Sequence, residues 1–507
     1  MEDIMSNNTS QSLYEYIRAA VEPLKGTGDL PDFSLPLDPD TKIPFADGAY
    51  DGIALYHMGA SEMSDEAKEL MIKAVQTASN GDIEAAEHLF AELGKTERAI
   101  RLIDEFQDYI IANRDSIPAG ELYKFAVYAV TKSCDTECVK FGLSILELLN
   151  IEDNEEIKSI VTVLGLSEEF TLFSVFVMLK WRDGNEKIAY LARMTRGWGR
   201  IHAIERLKPD TEEIRQWILH EGVHNTVVPA YSALTCWNKS GAAELLFGDA
   251  PLSDKDFHGI RDIIDALLDE GPCSGISSVE NAEDALARFL QKASGRTLDI
   301  TDYETVRGIR GYCEENAEIA ALCGEILGSE QCRACVKLAA KDGRAIELAK
   351  ELGLDCKADI LRLLESDLEK YCYLCVHLLN DDEYRAKAIA LFREKLPLDE
   401  MKAAPTMELG LGKEFKKQQC LDAVVQHLDG YPLEGIDLIE TALQCAPTRN
   451  RNMALNALRS WVNTKKTPLS ELLPEMFALL QRLSEIEPDE KVREKMEKLI
   501  GGEIEQK

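Results

Sequence analysis

From Ser64 to Ile500 the chain repeats one pattern: apolar residues recur three and four positions apart over segments of roughly 10 to 18 residues, and Gly, Asp, Asn or Pro separates the segments. Stretches such as "SDEAKELMIKAVQTAS" and "DEKVREKMEKLI" each place their apolar positions on one helical face. No run alternates apolar and polar residues as a half-buried strand would, so helices are expected throughout. Residues 1–60 depart from the pattern. There "SQSLYEYIRAAVEPL" predicts one short helix, and the Gly- and Pro-rich "GTGDLPDFSLPLDPDTKIPFADGAYDG" predicts an irregular strap or cap. The most apolar run, "FTLFSVFVML" from Phe170 to Leu179, is shorter than the roughly 18 residues of a membrane span and predicts a buried helix.

At 507 residues the chain exceeds one compact core, which leaves about three globular domains or a long repeat array. An aromatic content of 7% with 45% apolar residues favours the array: helices joined by short turns, with enough apolar surface for a continuous core. "DEGPCSGISSVENAED", from Asp269 to Asp284, interrupts the periodicity and marks a hinge or subdomain boundary. The expected organisation is a strap over 1–60, a first helical segment over 61–270, a hinge over 271–300 and a second segment over 301–507.

Two pieces align with each other. "CRACVKLAAKDGRAIELAKEL" from Cys332 and "CYLCVHLLNDDEYRAKAIALFREKL" from Cys372 share CxxCVxL followed by RAIxL or KAIxL, which reads as a helix-pair repeat. A second phrase recurs as Arg451, Ala454, Ala457 and Leu458 in "RNMALNAL", as Arg200, Ala203 and Leu207 in "RIHAIERL", and as Ala230, Ala233 and Leu234 in "VVPAYSAL". This phrase resembles the second helix of HEAT and HEAT-like repeats, and the resemblance covers about residues 65 to 500. The resemblance implies an all-α fold, a right-handed alpha-solenoid of short HEAT-like helix pairs behind the N-terminal cap. It implies close helix approach at the alanines, an arginine opening each inner helix, and no activity. Stacked pairs bury a continuous core and leave a long concave face for binding.

Charge narrows the partner. With 90 acidic against 57 basic side chains and a formal charge of −33, the field of the molecule repels nucleic acid and anionic membranes and favours a protein with a basic patch or tail. The 13 cysteines, an odd count without a secretion signal, point to reduced thiols and a cytoplasmic location.

Three constellations are candidates for chemistry. "LHEGVHN" satisfies HExxH, the zinc-peptidase pattern, in which His220 and His224 would bind the metal, Glu221 would act as base, and Glu244 would be a third ligand. That geometry needs one unbroken helix. Asp210 as an N-cap, Gly222 past a helix end, Asn225 as the next N-cap and Pro229 in its first turn predict a break at the motif instead. Cys332, Cys335, Cys372 and Cys375 offer four thiolates for zinc, against a reading as small buried residues on matching helix faces. "RMTRGWGRIH" gathers Arg193, Arg196, Trp198 and Arg200, residue types that anchor protein interfaces. The competing reading has Trp198 filling a gap between repeats and the arginines paired with acids such as Glu205. No phosphate-binding glycine loop and no nucleophile elbow is present. The function expected is a binding scaffold or regulatory adaptor, with a zinc-dependent enzyme as the alternative.

Overall fold

The computed structural model describes residues 11–22, 30–36, 45–59 and 63–502, and among these every regular element is a helix, apart from one isolated bridge between Lys402 and Cys445. The parts of the predicted strap at 23–29 and 37–44 lie outside the described residues. The chain divides into two compact units, Met1–Arg296 with Gly308–Leu322, and Thr297–Arg307 with Cys323–Lys507. The division at 296/297 falls inside the stretch predicted as a hinge, whereas the interruption at 269–284 belongs to unit 1, where Ile276 and Val279 are buried.

Unit 1 opens with α1 (Leu13–Val21) and α2 (Ala49–His57), then α3 (Asp65–Ser79), α4 (Ile83–Thr96), α5 (Ala99–Ala112), α6 (Ala119–Lys132), α7 (Thr136–Leu148), α8 (Glu155–Leu164), α9 (Thr171–Met178), α10 (Gly184–Met194), α11 (Trp198–Arg206), α12 (Glu212–Glu221), α13 (Ala230–Ser240), α14 (Ala242–Phe247), α15 (Asp254–Leu267) and α16 (Ala282–Ala293). Side-chain caps fix many of the starts: Ser12, Ser64, Asp135, Asn154 and Ser253 each accept the backbone N–H three residues on, at 2.8–3.2 Å. Helices α7, α9, α11, α13 and α15 pack on one another in succession, and α6, α10 and α12 each pair with the helix that follows. The apolar stripes meet between these rows. Phe90, Phe106, Phe125 and Phe141 form one fully buried cluster with ring centroids 4.9–5.9 Å apart.

The N-terminal segment is tied to both rows. α1 packs on α6 and α8, while α2 lies against α7 and α11. Residues 49–57 fall in the stretch expected to be irregular, and Gly52 in their middle disfavours helix. Tertiary contact overrides that preference. A Cβ on Gly52 would stand 2.2–2.4 Å from ring atoms of Trp198, so only glycine lets α2 lie flat on that indole.

A buried ion cluster fastens the same segment. Lys140 on α7, 1% exposed, reaches Asp51 of α2 at 2.8 Å, Glu169 at 2.6 Å and Glu137 at 3.4 Å. Glu169 also accepts Gly48 N–H at 2.7 Å, and Glu137 accepts Ala99 N–H at 2.7 Å and Arg98 at 2.9 Å. Burial at this density requires such pairing, because an isolated charge would not leave water.

After α17 (Ile300–Tyr312) and α18 (Ala317–Leu327) come α19 (Glu330–Ala340), α20 (Ile346–Glu351), α21 (Lys357–Ser366), α22 (Leu368–Tyr371), a 3-10 helix (Cys372–Leu378), α23 (Asp382–Lys395), α24 (Lys416–Val425), α25 (Ile436–Leu443), α26 (Thr448–Lys465), α27 (Leu469–Leu472), α28 (Pro474–Ser484) and α29 (Glu490–Ile500). The CxxCVxL phrases adopt different conformations, α-helix at Cys332 and 3-10 helix at Cys372, and the paired RAIxL and KAIxL segments give helices of 6 and 14 residues. Likeness of letters is therefore not likeness of local structure here. Between α23 and α24 a loop is fixed by its backbone: Thr406 O accepts Arg451 at 2.9 Å, and Gly410 O and Gly412 O accept Gln419 at 3.0 Å. It presents Met407, Leu409 and Leu411 to solvent.

Candidate functional site

The HEGVH segment breaks where glycine stands. α12 starts at Thr211, whose hydroxyl accepts Ile214 N–H at 3.2 Å, one residue after the expected cap Asp210. It ends at Gly222, which keeps a right-handed φ of −63°, so glycine serves here for space rather than for a left-handed turn. A Cβ at Gly222 would stand 2.5 Å from Cys236 Sγ on α13. Asn225 does not cap the next helix as expected. Its side chain accepts Val227 N–H at 3.0 Å and donates to Ser232 Oγ at 3.2 Å, and α13 begins only at Ala230, with Pro229 in the capping position. The delay has a cause: Thr226 N–H is drawn to Arg196 O at 2.8 Å, which holds the turn across the entry to α11.

The break separates the two histidines. His220 Nε2 meets Asp256 Oδ1 at 2.9 Å, and His224 Nε2 meets Asp262 Oδ2 at 3.1 Å. These carboxylates lie on α15, and six helical residues span about 9 Å, whereas two nitrogens on one zinc ion stand within about 4 Å of each other. Glu221 turns to His224 Nδ1 at 3.4 Å, and Glu244 sits on the separate helix α14. Among the described residues, His220, Glu221, His224 and Glu244 do not gather as a set of ligand atoms, nor do Cys332, Cys335, Cys372 and Cys375. The histidines act as ties between α12, its turn and α15. The hydrogen bond that His224 donates to Asp262 raises the His224 pKa from its ordinary value. Asp256 and Asp262 are held below the usual carboxylate range: burial opposes this, but hydrogen bonds outweigh it, from Ser253 and His220 at Asp256 and from His224 and Arg261 at Asp262.

"RMTRGWGR" also has an internal occupation. Trp198 is 6% exposed and packs with Tyr56, Tyr231 and His202, at centroid distances of 4.8–5.9 Å. The N–H groups of Arg196, Gly197 and Gly199 converge on one carboxylate, that of Glu168, at 2.8 and 2.9 Å for the first two. A loop that resembles an anion site is thus filled by the chain itself. Arg200 donates to Thr195 O at 2.8 Å, His224 O at 2.5 Å and Arg193 O at 3.3 Å. Arg193 pairs with Glu213 at 2.9 Å, not with Glu205, which instead binds Arg206 at 2.6 Å and the Tyr56 hydroxyl. Of the four expected contact residues, Trp198 and Arg200 are structural, and Arg193 alone lines the groove described next.

That groove, about 620 Å3, runs along the outer face of α12 and is lined by Arg193, Glu213, Gln216, Trp217, His220, Glu221, Ser253, Lys255 and Asp256. α12 buries Ile214, Ile218 and Leu219, which leaves Glu213, Trp217 and Glu221, spaced four apart, in a stripe on the opposite side. Trp217 is half-buried, with the Arg200 guanidinium 5.7 Å from its centroid. The side chains of Glu213 and Glu221 are 79% and 52% exposed. Sequence reasoning passed over Trp217 in favour of Trp198. The signal was the stripe: a tryptophan between glutamates at helical spacing belongs to the polar face, while one between glycines can be packed over.

The cysteines separate too. Cys375 donates to Ala423 O at 3.3 Å, and burial pushes the Cys332 thiol up to about 11. Cys372 Sγ lies 3.9 Å from Glu369 O, and Cys420 Sγ, on α24, lies 3.8 Å from Leu368 O. Among the described residues no two cysteines form a disulfide, and no helix is long and apolar enough to cross a membrane. The chain matches no protein-family model, no curated protein and no solved structure.

Proposed function

We propose that this chain is a protein-binding scaffold, a HEAT-like array of helix pairs that takes a basic segment of its partner in the α12 groove. The observation that carries the reading is Trp217, half-buried between the accessible carboxylates of Glu213 and Glu221. An indole face attracts a guanidinium or ammonium and packs on its stem, and flanking carboxylates add charge-assisted hydrogen bonds. A net charge of −33 draws such a partner from a distance.

Support for the array comes from an arginine used in the same way three times. Arg200, Arg385 and Arg451 each stand in the first turn of a helix, α11, α23 and α26. Each donates to a carbonyl of the segment just before its helix: Thr195 O at 2.8 Å, Leu379 O at 2.7 Å and Cys445 O at 3.2 Å. Each also reaches forward to a later segment, His224 O at 2.5 Å, Glu434 at 2.8 Å and Glu487 at 2.7 Å. A side chain that joins one helix pair to the next is what a stacked array needs.

The test is fluorescence anisotropy with a labelled arginine-rich nonapeptide and an acidic nonapeptide of the same length. The basic peptide is expected to bind, and the acidic one not. Trp217→Ala and the pair Glu213→Gln with Glu221→Gln should each weaken binding at least about tenfold, the loss of a hot-spot contact. Equal affinity for both peptides, or unchanged affinity in both variants, would sink the proposal.

A further inference from the structure

A cavity of about 850 Å3 lies between the N-terminal segment and the body of unit 1, and none of the preceding roles uses it. The stretches 30–35 and 45–47 line it together with Leu166 and Glu168 between α8 and α9, the entry to α11 at Arg196, and Val227 in the turn before α13. Its volume falls within the roughly 300–1,000 Å3 of small-molecule sites. Apolar side chains make up most of its lining, with Phe33, Phe45, Leu166 and Val227 among them, and a few polar groups stand between these.

Asp47 sets the chemistry of this lining. Its Oδ2 accepts Leu35 N–H at 2.9 Å, which ties the two N-terminal stretches together, but among the described residues no Lys, Arg or His side chain pairs with it. The acids near it are provided for: Asp51, Glu137 and Glu169 share Lys140, and Glu168 takes three backbone N–H groups. Asp47 is thus a half-buried carboxylate at the wall of an apolar cavity, without a counter-ion. Burial raises it to about 6, with Glu169 and Glu168 adding to the effect, so at neutral pH most of it is still an anion that a bound cation would stabilise. Asp32 also lines the cavity, and the exposed Arg196 is the one cation that does so among the described residues, which leaves the lining negative.

We propose that this cavity binds a small organic amine, a primary ammonium carried on an aromatic body, with Asp47 holding the ammonium and Phe33, Phe45 and Leu166 the body. The ammonium supplies the charge-assisted hydrogen bond that the carboxylate lacks. The rings of Phe33 and Phe45 pack against an aromatic ligand in edge or offset geometry and also attract its cation. A bare metal ion does not suit the site, because a hard cation needs about six oxygen ligands and this lining is chiefly carbon. An apolar carboxylate would meet Asp32 and Asp47 with like charge. The site is separate from the α12 groove: no residue is common to the two linings.

The experiment titrates the full chain at neutral pH by isothermal calorimetry with phenethylamine and, separately, with hydrocinnamate, which has the same aromatic body and a carboxylate in place of the ammonium. Saturable binding is expected for the amine and none for the carboxylate. Asp47→Asn should weaken amine binding at least about tenfold, the loss of one charged hydrogen bond. Val227→Trp should do the same by filling the cavity from its half-buried edge, and it leaves Asp47 in place should the asparagine disturb the N-terminal segment. Trp217→Ala, which alters only the α12 groove, should bind the amine as wild type does, so failure of this site and failure of that groove are read apart. No saturable binding of the amine at millimolar concentration, equal affinity for the carboxylate, unchanged affinity in both Asp47→Asn and Val227→Trp, or loss of binding in Trp217→Ala would overturn the proposal.

Discussion

Replacing Lys140 with Met removes the cation that the buried carboxylates of Asp51 and Glu137 share with the half-buried Glu169, while nearly preserving side-chain volume, so the effect is electrostatic. The carboxylates do not suffer equally. Glu137 retains Arg98 at 2.9 Å and Ala99 N–H at 2.7 Å, and Glu169 retains Gly48 N–H at 2.7 Å. Asp51, whose oxygens have only the Lys140 contact, retains nothing. Removing one partner of a buried pair costs about 3–5 kcal/mol. Burial already raises the Asp51 carboxyl above the usual range, so in the variant it can take up a proton, and the expected loss lies at the lower end, about 3 kcal/mol. Asp51→Asn should cost less, because Lys140 then faces only Glu137 and Glu169 and Arg98 completes the balance. The double variant should recover at least half of the Lys140→Met loss, a coupling that a double-mutant cycle reads directly. Urea unfolding followed by tryptophan fluorescence reports chiefly on unit 1, which holds Trp181, Trp198, Trp217 and Trp237 of the five tryptophans. A loss below about 1 kcal/mol in Lys140→Met, or a double variant no more stable than it, would show that the cluster does not fasten α2 as argued.

The same fastening makes Gly52→Ala destabilising by about 1–3 kcal/mol or more, since the added methyl meets the Trp198 ring, and a thermal melt equal to wild type would refute the close approach. Burial raises Asp47 from 3.8 to about 6, so its contribution to stability is fully present below pH 3.8 and is lost as pH rises through about 6. Asp47→Asn is therefore expected to melt higher than wild type at pH 8 and equal to it near pH 4, and a gap independent of pH would count against a buried Asp47. Trp198→Ala should cost about 3–5 kcal/mol, whereas Trp217→Ala should leave the melting temperature close to wild type; the reverse order would exchange their roles.

Helical content was legible because it rests on local periodicity and caps, which act within a few residues. The short helix at Leu13–Val21, the start of α7 after Asp135 and the buried α9 all follow from such signals. Residues 49–57 were not legible. Their helix depends on Trp198, about 150 residues away in sequence, and no window around Gly52 contains that information. The Cys372 phrase misled for a related reason: its letters match those at Cys332, but contact with α24 accompanies a 3-10 conformation.

At the site, what sequence carried was the break in HEGVH, and what it lacked was direction. Gly222 was taken for a helix end, and it is one, yet its requirement is the 2.5 Å approach of Cys236 and not backbone freedom. The two tryptophans show the same limit from opposite sides. Trp198 stands among arginines and glycines, a composition that suits an interface, but the small glycines are what allow α2 and Glu168 to close over it. Trp217 stands among Glu213, Gln216, His220 and Glu221, and the three apolar residues of α12 already define the buried side. Exposure of an aromatic is thus better read from the face it shares than from the charged residues beside it in sequence. By that rule the groove, its carboxylates and its indole were all encoded in "TEEIRQWILHE".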